Sequence, residues 1–310
     1  MIYCVFIEEV GDNMEIVNFY SQKEKKLHST ALTPYTYFYC VLPCSSHPNV
    51  PLHWHSEMEI DYVLSGTALY QVCDKSFEAK QGDIIVVGPN ILHSVHPGED
   101  CTLISDTLIF HLDFLGASSA DKTAVSYLRP LMNSNSTIVS PFITQDNPAY
   151  KDYSECLNKL FMWVKEQSEY FELGMKCELL RFIQLIYANG LVAQQGITTK
   201  RTVYVDKIKL ALQYIQDNYK DEIMVSDLAR LCHFSKAYFM NFFKQSVGMS
   251  CIEYLNQFRL RAASEMLRTT DTQISEVAFE CGFRNLSNFN RQFRKCFNLT
   301  PRVFREVGEA

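Results

Sequence analysis

A ten-residue pattern occurs twice in the last third of the chain, and few folds accommodate it. Val225–Phe234 reads VSDLARLCHF and Ile274–Phe283 reads ISEVAFECGF. At a constant offset of 49, Ser226, Ala229, Cys232 and Phe234 recur as Ser275, Ala278, Cys281 and Phe283. Beyond the turn the offset becomes 50, aligning Phe243–Lys244 with Phe293–Arg294, so the second copy carries one extra residue in its turn. In that copy Ile274, Val277, Ala278 and Cys281 fall on one apolar helical face. Gly282 supplies the left-handed conformation that ends a helix sharply, and His233 stands in its place in the first copy. Leu286, Phe289, Phe293 and Phe297 then mark a second helix whose other faces carry Ser287, Asn288, Asn290, Arg291, Arg294 and Lys295. Helix, tight turn and polar second helix form a unit that can place its second helix in a DNA groove. The pattern predicts two such units, near 225–248 and 274–298, with Ser226 and Ser275 capping their first helices. From Ile252 to Leu267 the apolar spacing predicts one long connecting helix, with Arg259, Arg261 and Arg268 on its exposed sides. A rigid connector suits half-sites about one turn of B-DNA apart, ~34 Å.

The charge distribution agrees. The net charge of −6 conceals 12 Lys+Arg against 23 Asp+Glu in residues 1–199, and 17 against 12 in residues 200–310. Only the basic back half is a candidate for phosphate contacts, and the acidic front half implies a different kind of partner. At 310 residues the chain is long enough for two domains. No apolar run reaches membrane-spanning length, and the N-terminus lacks the features of a secretory signal. Eleven scattered cysteines suit a reducing compartment. A cytoplasmic protein with no membrane partner is the expectation.

The front half reads differently. Glu59–Leu64, Ala68–Cys73, Ser76–Ala79, Ile84–Val87 and Thr102–Leu112 are β-rich runs separated by turn residues, which predicts a sandwich or small barrel within residues 1–150. Residues 151–195 read as two amphipathic helices separated at Leu173–Gly174, a candidate homodimerisation pair. Residues 196–202 are the expected linker and 203–310 the DNA-binding region. The fold class is therefore multidomain β + α.

Residues 203–306 resemble the DNA-binding domain of the AraC/XylS family of bacterial transcription regulators. The likeness rests on Ala278, Gly282–Phe283, Ser287–Phe289, Phe293–Arg294 and Thr300–Pro301 followed by Phe304–Arg305. It implies double-stranded DNA as a partner, with RNA polymerase as a further one. It also implies base-reaching positions at Lys236, Ala237, Met240 and Asn241 in the first unit, and at Leu286, Ser287, Asn288, Asn290 and Arg291 in the second. Asn can pair with adenine and Arg with guanine through two hydrogen bonds, each worth about 1–3 kcal/mol of discrimination. Lys244, Arg294 and Lys295, nearer helix ends, suit phosphates.

In the front half, His53-Trp54-His55 with Glu59 and Gly66, then Gly82–Asp83 and Pro89 with His93, is similar to the two motifs of the cupin barrel. Asn90 and Ile91 depart from it where a glycine is usual. Three histidines and one carboxylate suit Fe, Mn, Ni or Zn, which opens a metal-dependent cupin enzyme as the alternative. In regulators of this type such a barrel is a small-molecule sensor, of a sugar in many cases. His53, His55, Glu59 and His93 then bind an effector or one another, with a divalent metal an option rather than a requirement. Trp54, Tyr62, Tyr70 and His96 are further cavity candidates. The expectation is a non-enzymatic regulator: a cupin-like sensor barrel, a helical pair, and an all-α double helix-turn-helix domain that the sensor repositions.

Overall fold

The structure, a computed structural model, describes residues 5–10, 13–17, 34–43, 50–73, 75–98, 102–133, 136–194 and 200–308. The chain divides into two compact units that part between residues 199 and 200. Among the described residues no helix is long and apolar enough to cross a membrane.

The first unit contains β1 (Val5–Val10), β2 (Asn13–Val17), β3 (Tyr35–Leu42), β4 (Val50–His53), β5 (Met58–Ser65), β6 (Thr67–Val72), β7 (Lys75–Lys80), β8 (Ile84–Val87), β9 (His93–Pro97), β10 (Leu103–Phe110), β11 (Ser136–Ile138), β12 (Phe142–Ile143) and β13 (Val192–Gln194). Seven strands pair in the order β12-β8-β5-β10-β3-β1-β2 and four in the order β4-β9-β6-β7; β11 pairs with β13. The two larger sheets form a cupin-like sandwich without closing into a continuous barrel.

Strand alternation gives the seven-stranded sheet two buried faces. Phe38, Cys40, Val63, Ile85, Val87, Leu103 and Ile109 meet Ala68, Tyr70, Val72 and Val95 of the other sheet. Their neighbours Met58, Ile60, Ile84, Val86, Leu108 and Phe110 pack outward. They are covered by helices α2 (Tyr150–Glu166) and α3 (Phe171–Ala188), which follow the short α1 (Arg129–Met132). This double burial explains why β8 is wholly apolar. A buried carboxylate also ties sheet to helix: Asp106 accepts from Tyr37 Oη at 2.6 Å and from Lys165 Nζ at 2.7 Å.

The helix pair forms, but its turn is not at Leu173–Gly174. The chain reverses at Gln167 and Tyr170, both with positive φ, and Leu173–Gly174 lie in the first turn of α3. Gly174 serves packing instead: a Cβ there would lie 2.4 Å from the Trp163 indole of α2.

The second unit is α4 (Lys200–Asn218), α5 (Val225–Leu231), α6 (Lys236–Val247), α7 (Cys251–Thr269), α8 (Ile274–Glu280), α9 (Leu286–Phe297) and α10 (Pro301–Gly308). α4 begins inside the stretch expected as linker; residues 196–199 lie outside the described ones. The repeat is realised in full. The first helices of the two units start 49 residues apart, the second helices 50 apart. The extra residue is Arg284, which places two hydrogen bonds of 3.1 and 2.6 Å on Glu222. Phe239 and Phe243 of α6, like Phe289 and Phe293 of α9, are fully buried.

The serine caps do not form. The N-caps of α5 and α8 are Met224 and Gln273, without side-chain cap bonds, so Ser226 and Ser275 already lie inside the helices. The side-chain caps sit on the second helices instead, at Ser235 and Asn285. Arg259, expected on an exposed side of α7, is turned inward onto backbone carbonyls.

Candidate nucleic-acid interface and sensor cavity

α6 and α9 each buries a phenylalanine face and turns its other faces to solvent. On α6, Lys236, Ala237, Met240, Asn241 and Lys244 are all exposed. Ser235 starts that helix by accepting from Tyr238 N at 3.3 Å. Tyr238, a residue not singled out by pattern, is also exposed and lies parallel to Phe242, one helical turn on.

On α9, Ser287, Asn290, Arg291, Arg294 and Lys295 are exposed. Leu286 is half-buried and packs against the core of this half of the unit, leaving less of it for a base than the family likeness implies. The Asn288 side-chain oxygen accepts from Arg291 Nη2 at 3.0 Å and from Gln292 Nε2 at 3.1 Å. A carbonyl oxygen has two lone pairs, and both are engaged. Asn288 therefore presents its amide N–H₂ end, whereas two-bond pairing with adenine needs the oxygen as well. Sequence spacing does not show this, because Gln292 carries no pattern signal of its own.

In the first unit, His53 on β4 and His93 on β9 face each other across paired strands, with ring centroids 4.0 Å apart. Glu59 comes from β5 of the opposite sheet, and His55 from the connection between β4 and β5. Asn90 takes positive φ where the cupin pattern has a glycine, and its N–H donates to His55 O at 2.7 Å.

All four side chains are buried, and one ligand atom from each lies within 4.8 Å of the others. His53 Nδ1 donates to Pro51 O at 2.9 Å, His55 Nδ1 to Glu57 O at 3.1 Å and His93 Nδ1 to Ile91 O at 2.8 Å. A carbonyl only accepts, so each Nδ1 carries a proton, which leaves Nε2 as the nitrogen that would coordinate an ion after giving up any proton of its own. Glu59 Oε2 lies 2.8 Å from His55 Nε2 and 3.2 Å from His93 Nε2.

Burial, then the neighbouring His93 and His55, holds His53 well below the ordinary imidazole pKa. Burial alone would raise Glu59, but the charges and hydrogen bonds of His93 and His55 outweigh it and hold the carboxylate well below its usual range. Three oriented imidazoles and one carboxylate fit a divalent first-row transition-metal ion, and the backbone bonds to Nδ1 are the outer support such ligands use.

Beside the cluster a partly open cavity of about 40 Å³ lies between the two sheets. Besides His53 and Glu59 its polar lining is Asp61, Tyr70, Ser105 and Thr107. The Thr107 hydroxyl donates to Asp61, and Cys40 Sγ–H donates to Thr107 at 3.3 Å. Burial, and next the charge of Glu59, pushes the Asp61 carboxyl well above its usual range. Tyr70 lines this space as expected. Tyr62 packs on the opposite, helix-covered face, and Trp54 and His96 are not among the lining residues. Asp61, Ser105 and Thr107 went unnoticed in the sequence, although each follows the strand alternation that aims Glu59 inward.

Comparison with known proteins agrees with both halves. Residues 35–183 match the profile of the AraC-like ligand binding domain and residues 228–306 that of a helix-turn-helix domain. The HTH-type transcriptional regulator YdeC of Bacillus subtilis (strain 168) is 22% identical over 288 residues, 92% of this chain and 96% of its own length. The HTH-type transcriptional activator RhaR of Yersinia pseudotuberculosis serotype O:3 (strain YPIII) is 25% identical over 258 residues, 82% of this chain and 84% of its own. Among solved structures, an AraC-type transcriptional regulator from Chromobacterium violaceum is 27% identical over 33% of this chain and 92% of that one, with a TM-score of 0.32. With a sensor-type sandwich in front and a doubled helix-turn-helix behind, the chain belongs to the AraC family of transcription regulators.

Proposed function

We propose that the protein binds specific double-stranded DNA sites through α6 and α9 and adjusts that binding to a ligand held by its sandwich unit. The observation that carries the reading is the doubled helix-turn-helix, with both second helices exposing amide and cationic side chains. Arg291, Asn288, Asn290 and Ser287, with Lys236, Ala237, Met240 and Asn241, read bases, and Leu286 makes an apolar edge contact. Lys244, Arg294 and Lys295 hold phosphates and so position without reading sequence. RNA polymerase is the further partner expected of such a regulator.

A second copy of the chain docks along α3, where Leu173, Cys177 and Leu180 form an exposed stripe. The ligand binds between the sheets against His53, Glu59, Asp61, Tyr70, Ser105 and Thr107. It acts by favouring one arrangement of the sensor and so shifting where the DNA-binding units are placed. The enzyme alternative is weaker, because the space beside the cluster, about 40 Å³, is far smaller than the pockets that take organic substrates of ordinary size.

Selection of the full-length protein against a pool of random-sequence duplexes tests this reading. The expected product is a site with two conserved segments about one helical turn apart, ~34 Å. Recovery of no preferred sequence overturns it.

A further inference from the structure

We propose that the signal read by the sensor is a metal ion itself: a divalent first-row transition-metal cation held by His53, His55, Glu59 and His93, which clamps one sheet to the other and thereby sets DNA affinity. The inference rests on the regulator reading above and names its effector.

Three observations carry it. The first is the state of the donors. Each histidine is fixed by a carbonyl two residues away, the His55 and His93 Nε2 atoms meet one carboxylate oxygen of Glu59, and a ligand atom of His53 lies within 4.8 Å of these. Imidazoles held in place through Nδ1 present Nε2 to one point, and nitrogen donors of this kind suit Mn, Fe, Co, Ni and Zn better than Mg or Ca.

The second is space. Ordinary organic ligands occupy pockets of about 300–1,000 Å³, while the cavity beside the cluster is about 40 Å³. A water needs roughly 10–15 Å³ of such space, so the described interior has room for an ion and a few bound waters. A sugar would require the sheets to part.

The third is topology. His53 and His93 belong to the four-stranded sheet and Glu59 to the seven-stranded one. His55 lies on the connection that carries the chain from one to the other. An ion on these four residues bridges the two layers at the point where the chain crosses between them. Because it binds only the assembled sandwich, it stabilises that arrangement and shifts the sensor between an ion-locked and an ion-free state.

The test uses full-length protein stripped with chelator, then titrated with Zn²⁺, Ni²⁺, Co²⁺ or Mn²⁺. Metal content, thermal midpoint and affinity for a duplex chosen by random-pool selection are read in parallel. The expected result is one ion per chain, a rise in Tm of about 5 °C or more, and at least a tenfold change in affinity for the selected duplex. The Co²⁺ form shows a nitrogen–oxygen ligand spectrum without thiolate charge transfer, which separates this cluster from the cysteines. E59Q, nearly isosteric, loses both metal responses, each read as the difference between its own metal-free and metal-loaded samples. H93Q serves as the second variant if E59Q does not fold.

Stoichiometric metal with DNA affinity unchanged within twofold overturns the inference and leaves the regulator reading intact, the ion being a structural clamp. Absence of metal binding at micromolar concentration also overturns it and returns the effector to a small organic molecule. Failure to prefer any duplex, with or without metal, overturns the regulator reading itself.

Discussion

The guanidinium of Arg259 donates to the backbone carbonyl of Asp221 at 2.6 Å. Its Nε–H meets Tyr219 O at 2.7 Å, so one side chain on α7 closes the end of α4. The second half repeats the device: Arg305 on α10 donates to Thr272 O at 2.6 Å and to Leu267 O at 3.3 Å, closing the end of α7. Helix C-termini leave carbonyls without intrahelical partners, and a cation there also opposes the helix dipole. Hydrogen bonds to a charged group contribute about 1.5–3 kcal/mol. Arg259→Met and Arg305→Met are therefore expected to lower the stability of the DNA-binding unit by about 2 kcal/mol each. Urea denaturation of the full chain, followed by far-UV circular dichroism, measures this. A loss below 0.5 kcal/mol (about half the usual hydrogen-bond value) for both would show that the carbonyls are served equally well by water.

The two tight turns give a prediction of opposite signs. Gly282 and His233 occupy equivalent positions, with φ of 84° and 55°. A Cβ on Gly282 would lie 2.6 Å from Tyr219 O, a backbone atom that cannot give way. Left-handed backbone costs a side-chain-bearing residue about 1–2 kcal/mol. Gly282→Ala therefore destabilises by at least about 2 kcal/mol, because a clash adds to the backbone term. His233→Gly relieves the backbone term at the expense of unfolded-chain entropy and stabilises by up to about 1 kcal/mol. Thermal midpoints moving in the same direction for both variants would contradict the equivalence of the two turns.

Much of this was legible in the sequence, and what was not has a physical cause. The doubled unit was readable because Ala278 and Cys281 must fill the same small, buried places as Ala229 and Cys232, and burial writes itself into residue type. The convergence of His53, His55, Glu59 and His93 was readable from motif spacing, and their shared burial agrees with it. The inward-facing Asp61, Ser105 and Thr107 were not, since small polar residues on a strand look the same whether they face water or a cavity. Ser226 and Ser275 misled because a serine at N2 and one at the N-cap differ by only two positions. The Gly174 position misled because a glycine that admits an indole reads like one that makes a turn. Arg259 and Arg305 show no periodic signal, since their partners are backbone carbonyls distant in sequence.

At the proposed DNA surface, the bonds from Arg291 and Gln292 to Asn288 Oδ1 separate three roles. Arg291→Ala removes a base-reading guanidinium and unlocks Asn288, so preference at the contacted positions relaxes, by about 1–3 kcal/mol for each lost base contact. Gln292→Ala frees the Asn288 oxygen and moves preference towards adenine at that position while leaving total affinity within a few-fold. Lys295→Ala weakens selected and random duplexes alike and reduces the salt slope by about one. Quantitative binding to a selected duplex and its single-base variants, at several salt concentrations, distinguishes them. Equal losses on specific and random DNA for Arg291→Ala and Lys295→Ala would contradict the division between reading and positioning.

The proposed pairing of two copies along α3 has a chemical reporter built into it. Cys177 lies between Leu173 and Leu180 on the solvent side of the helix, and it is the exposed thiol among the described cysteines. Cys281 and Cys156 are disfavoured as nucleophiles: burial pushes the Cys281 thiol up to about 11 and the Cys156 thiol up to about 12. A raised pKa leaves the protonated form dominant, so near pH 8 about one Cys281 thiol in a thousand is thiolate, and the reactive fraction grows only as pH approaches 11. In dilute protein at pH 8, iodoacetamide should therefore modify Cys177 ahead of Cys156 and Cys281, as read by peptide mass spectrometry. If α3 is the contact between copies, raising the protein concentration slows Cys177 modification in step with dimer formation seen by sedimentation. Leu173→Glu with Leu180→Glu should then restore fast modification and a monomeric sedimentation profile at high concentration. Dimer formation without any protection of Cys177 would place the contact on another face.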